Sequence, residues 1–177
     1  MKKWLVILLT MALAITAAAC SCQQQPQTAV TPLTGTMAEN VSKIMEKNPT
    51  EFMGAVIPVD LQDTSEENRW AVKNYTGLEA TEKLTDVAVY ESMTGSQAFS
   101  LVLARVANAA DAETVARQMI ENINPGKWIC VRADQVMAAG YGDVVMFVMV
   151  DSQLGKTAQS YVDAFESICG GKANFTI

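Results

Sequence analysis

The chain has 177 residues, 13 basic and 19 acidic side chains, a formal net charge of -6, and no histidine. Acidity of this size repels nucleic acid phosphates and anionic headgroups. The lack of histidine excludes His-dependent triads, Cys-His dyads, His zinc ligands and imidazole pH switches.

Lys2 and Lys3 precede an apolar run from Trp4 to Ile15, and Ala17, Ala18 and Ala19 stand directly before Cys20. The run is shorter than the roughly 20 residues of a spanning helix and suits a signal h-region. We therefore expect a lipoprotein signal over residues 1–19, with Cys20 as the lipidated residue; plain secretion is the alternative. Cys22 suits a lipobox less well, because Cys20-Ser21 precedes it. Several acyl chains on one cysteine make a stable anchor where a single chain binds marginally. Cleavage leaves roughly 160 residues, enough for one domain. Loss of Lys2 and Lys3 makes that remainder more acidic still.

Residues 20–35 read as the lipidated cysteine and a flexible polar stalk. Ser21 to Gly35 is uncharged, rich in Gln, Thr and Pro, and too poor in large apolar residues to fold. Residues 36–177 read as a single α+β domain. Thr36-Met37-Ala38-Glu39 has the form of a capping box, and Val41, Ile44 and Met45 make an apolar stripe that Asn48-Pro49 ends. Phe52 to Leu61 is apolar but broken by Gly54 and Pro58, a loop or short edge strand. Thr64-Ser65-Glu66-Glu67 repeats the capping signature before a second helix, with Trp70 and Tyr75 as core anchors and Gly77 as its stop.

Leu84 to Ser92 and Phe99 to Val106 read as a hairpin about Thr94-Gly95-Ser96, followed by a helix from Asp111 to Asn124-Pro125-Gly126. The order recurs: Val131 to Ala139, a turn at Gly140-Tyr141-Gly142, Val144 to Val150, then a helix carrying Tyr161, Phe165 and Ile168 and ended by Gly170-Gly171. Leu101 aligns with Met146, Leu103 with Val148, and Ile120 with Phe165. The expected fold is a four-stranded antiparallel sheet from two ββα units, both helices on one face, plus two N-terminal helices as a second cover. Val144 to Val150, apolar on both faces, should lie centrally.

Gly155-Lys156-Thr157 lacks the first glycine of a P-loop, since Val150 stands there beside Asp151. Asp60, Asp63, Glu66 and Glu67 form the densest acidic group, but their spacing suits helix capping and lacks the order of a calcium loop. The pattern calls for no catalytic residue, metal or cofactor. Trp128, in the loop that Pro125-Gly126 opens, and Tyr141, at a glycine-flanked turn, are the candidate ligand contacts; the plainer reading is that both pack on the core. Cys130 and Cys169 have no metal-motif spacing; the compartment allows a disulfide between them, and two buried free thiols are the alternative.

The anchored leader, the stalk, the helix running into Tyr75-Thr76-Gly77-Leu78, the hairpin from Val87 to Val106, the helix from Asp111 and the strand from Gly142 to Val150 together resemble the domain-of-unknown-function 4358 family of Gram-positive lipoproteins. The resemblance spans roughly residues 66–169 and implies a location on the outer face of the cytoplasmic membrane under a thick wall. It carries no catalytic or binding residues, since the family has no assigned activity. Gln97-Ala98-Phe99-Ser100 departs from the more charged second strand of that family. The expected partners are the membrane, through the N-terminal lipid, and another envelope protein; nucleic acid is not one. The expected function is a lipid-anchored binding or scaffolding module, and the alternative is a histidine-free, carboxylate-dependent envelope hydrolase.

Overall fold

A computed structural model describes residues 31–177. The expected signal over residues 1–19, the expected lipidation at Cys20 and most of the expected stalk fall outside the described residues. Among the described residues no helix is long and apolar enough to cross a membrane.

The elements are α1 (Met37–Lys47), β1 (Gly54–Val59), α2 (Glu66–Thr76), β2 (Leu84–Ser92), β3 (Phe99–Val106), α3 (Ala112–Asn122), β4 (Gln135–Tyr141), β5 (Val144–Val150), α4 (Ala158–Cys169) and β6 (Phe175–Thr176). The expected capping box forms at α1: Thr36 accepts from the Glu39 backbone N–H, and the Glu39 carboxylate accepts from that of Thr36. Ser65, not Thr64, caps α2, by accepting from the Asn68 N–H. Thr157 caps α4, and Lys156 donates to Asn48 Oδ1 at 2.9 Å, so the Gly-Lys-Thr segment is a helix start.

The sheet is antiparallel with six strands in the order β1-β2-β3-β5-β4-β6, where the sequence pattern predicts four. The apolar segment with Pro58 forms the first edge, where a missing N–H is tolerated. Phe175 and Thr176 supply the second edge: Phe175 lies over bare Gly140, where a Cβ would run into its ring. Between β3 and β4, β5 is buried along its whole length, as its two-sided apolar pattern requires.

The helices do not share one face. Helices α1 and α4 cover one side with Met37, Ile44, Tyr161 and Phe165 against Leu101, Met146 and Val148. On the other side lie α3, and α2 through Tyr75, with Val115 and Met119 against Val102, Phe147 and Met149. Handedness explains the split. Strands β3 and β4 both run antiparallel to β5, so α3 joins two parallel strands; β5 and β6 both run antiparallel to β4, so α4 does the same. Both crossings advance toward the β6 edge but start from oppositely directed strands. A common hand of crossover then puts the two helices on opposite faces. The recurring ββα order therefore has no matching rotational symmetry: a two-fold axis through the β3–β5 pair would keep both helices on one side.

Candidate functional site

The two ends of the sheet differ in character. At one end the described chain enters: Met37 N–H donates to Asp86 Oδ2 at 2.8 Å, and Arg105 donates to the Leu33 carbonyl at 2.7 Å and pairs with Asp143. At the opposite end, three loops form a rim. Met93 N–H donates to the Met53 carbonyl at 3.0 Å, and Ile129 N–H donates to the Gly95 carbonyl at 2.8 Å. These bonds bring Met53, Met93 and Ile129, respectively 74%, 65% and 73% exposed, to one rim.

Beneath the rim lies a charged cluster that sequence spacing does not reveal. Glu91 on β2 and Ser100 on β3 are cross-strand partners. Lys127, from the loop after α3, reaches both: its Nζ lies 2.9 Å from Glu91 Oε2, 3.3 Å from Ser100 Oγ and 3.3 Å from the Asn74 carbonyl. The Tyr75 and Trp128 rings lie 5.1 and 5.2 Å from the ammonium, within cation-π range. The Lys127 side chain is 4% exposed and that of Glu91 15%. Burial pushes the Lys127 amine below its ordinary range, and the Glu91 carboxylate opposes that shift. Burial, with Glu91 adding, pushes the Tyr75 phenol up.

A lysine amine beside a serine hydroxyl is also the pairing of a serine–lysine nucleophile. Here Glu91 favours the ammonium, and Ser100 is fully buried. What the geometry does is latch a loop onto the sheet. Lys127 and Trp128 bind the two carboxylate oxygens of Glu91, the indole N–H donating to Oε1 at 2.8 Å.

Trp128 is thus a half-buried part of the latch. Tyr141 is the last residue of β4 and buried, because the turn is Gly142-Asp143, where Gly142 takes a φ of 59°. Its ring packs at Gly171 and not at a turn surface. Cys130 and Cys169 are free thiols, Cys169 buried and Cys130 exposed. The exposure of Cys130 corrects the reading of two buried thiols: it sits in the latched loop at a φ of 62°. Trp70 is no core anchor. It is 66% exposed, while Val72 and Thr76 make the buried side of α2. Asp60 and Asp63 cap turns, accepting from Gln62 and Ser65 N–H, and the bonds from Ser65 hold Asp63 below the usual carboxylate range. Among the described residues no group of three or more acidic or cysteine side chains could hold a metal ion.

Two buried groups make stability fall at high pH. Burial, with Glu166 adding, pushes the Cys169 thiol up to about 12 from an ordinary 9.0. Burial, with Tyr90 adding, also raises the Tyr161 phenol, whose hydroxyl has no hydrogen-bond partner among the described residues. The unfolded chain releases these protons first, so their contribution is complete below about pH 9 and is lost as pH rises through the folded-state values. Each group steepens the decline by up to about 1.4 kcal/mol per pH unit. Urea unfolding between about pH 8 and pH 11 should therefore show a shallower loss in Cys169→Ala and in Tyr161→Phe. The second change should cost nothing at neutral pH, because it removes an unsatisfied hydroxyl. An unaltered slope in both variants would assign the alkaline loss to other groups.

Comparison with protein families, characterised proteins and solved structures finds no match to this chain.

Proposed function

We propose that the chain is a membrane-tethered binding or scaffolding module, held by lipid on Cys20 at the outer face of the cytoplasmic membrane and engaging another envelope protein. One observation carries this reading: Met53, Trp70, Met93 and Ile129 stand exposed on a domain whose sheet is otherwise covered on both faces. Large apolar side chains left in water are the signature of an interaction surface when they gather, as Met53, Met93 and Ile129 do at the rim. The described chain begins at the end of the sheet away from the rim, which supports an outward-facing rim in a domain tethered through its N-terminal side. The leader and the family resemblance support the location.

The hydrolase alternative requires a carboxylic acid whose pKa is raised so that it can donate a proton. Asp63, Glu79, Asp134 and Glu166 are all held below the usual range, chiefly by hydrogen bonds from Ser65, Lys73, Ser152 and Lys172 respectively. Those four carboxylates therefore do not supply that acid.

Two measurements test it. Cys20→Ala should abolish fatty-acid labelling and release the protein from membranes; persistent labelling would move the anchor to Cys22. Crosslinking of the tethered chain in intact cells should then capture a reproducible envelope protein. No capture, together with turnover of wall fragments by the purified chain, would replace the binding reading with the hydrolase.

A further inference from the structure

We propose that the outer face of α2 docks an arginine-bearing segment of a protein partner, with Trp70 as the stacking platform and Glu66 and Glu67 as the carboxylates that pair with the guanidinium. This rests on the binding reading and names the chemistry of the partner. Trp70 projects away from the buried Val72–Thr76 side of its helix. Glu67 and Glu66 precede it by three and four residues, the spacing that sets side chains next to one another on a helix surface. Neither carboxylate enters an ion pair among the described residues, whereas Lys73 on the following turn is taken by Glu79 at 2.6 Å. The platform stands on a helix that Ser65 caps at its start and Gly77 ends.

Charge selects the occupant. From Asp60 to Glu82 the chain carries six acids against two bases: Lys73, already paired with Glu79, and Arg69, next to Trp70 in the chain. A second copy of this acidic chain and an anionic bilayer are both repelled, while a cationic segment is drawn in. Arginine suits the site better than lysine, because its planar guanidinium stacks on an indole and still presents a fork to two carboxylates. Tryptophan and arginine are also the side chains that most often anchor an interface.

The test uses the full lipidated chain in detergent micelles and a fluorescein-labelled hexa-arginine peptide, read by anisotropy. Trp70→Ala and the double variant Glu66→Gln/Glu67→Gln should each weaken binding roughly tenfold. Hexa-lysine should bind more weakly than hexa-arginine. The charge-matched control Glu46→Gln/Glu51→Gln, on exposed residues away from α2, should bind as the parent does. Unchanged affinity in Trp70→Ala, or an equal loss in the control, would overturn the proposal by reducing it to net charge. In intact cells, the partner crosslinked to the parent chain should be lost from both α2 variants. A partner retained by them removes this face as the dock and leaves the binding reading standing. No partner on the parent chain removes both.

Discussion

Replacing Glu91 by glutamine should cost about 3–5 kcal/mol of unfolding free energy, the range for breaking a buried ion pair from one side. The substitution keeps shape and hydrogen-bonding capacity but leaves the Lys127 ammonium without a counter-charge at 4% exposure. Lys127→Met should cost less, about 1–3 kcal/mol, because Glu91 retains the Trp128 indole N–H and some solvent contact. The double variant Glu91→Gln/Lys127→Met should then be more stable than Glu91→Gln alone, since removing both charges abolishes the uncompensated one. Denaturant midpoints at constant slope measure all three. A Glu91→Gln loss below about 1 kcal/mol would show that water screens the pair as it does on a surface. The hydrogen bonds of Trp128 to Glu91 and of Ile129 to Gly95, rather than the ion pair, would then hold the loop after α3.

The cluster shows where sequence reading stops. Glu91 stands at a strand end and Lys127 in a Pro-Gly loop, positions where charges are ordinarily solvated, and only the cross-strand pairing of Glu91 with Ser100 and the return of the α3 loop bury them. Nothing in their spacing encodes that return. Trp70 is legible in principle. It lies two residues before Val72, so on a helix of 3.6 residues per turn the two point about 200° apart and cannot both face the core. Strands β2, β3 and β5 and helices α1, α3 and α4 follow from apolar periodicity, whereas α2 follows from its capping signature and its glycine stop. The edges do not: β1 is interrupted by Pro58, and β6 is two residues long. Periodicity also shows that a helix buries one stripe without showing against which side of the sheet. That choice comes from crossover handedness, which acts on topology and is invisible in any single segment.

Gly77→Ala is the backbone counterpart of the latch and is expected to cost about 2–5 kcal/mol. Two separate penalties combine there. Gly77 ends α2 at a φ of 73°, a left-handed conformation that an L side chain adopts at a cost of about 1–2 kcal/mol. Its bare Cα also seats against the last turn of α3: a Cβ would lie 2.8 Å from the Ile123 nitrogen and 3.0 Å from the Met119 carbonyl oxygen. Those atoms bond to each other, so neither can give way as a flexible side chain would, and the crowding adds about 1–3 kcal/mol. Gly170 separates the two penalties, because it closes α4 at a φ of 71° and, among the described residues, a Cβ there would meet nothing within 4 Å. Gly170→Ala should therefore show the conformational cost alone. Displacing α2 from α3 would also shift the Asn74 carbonyl off Lys127 and tilt the face that carries Trp70, so hexa-arginine binding should weaken in Gly77→Ala and not in Gly170→Ala. Equal losses in the two variants, in stability and in binding, would mean that the α2–α3 backbone contact does not position the docking face.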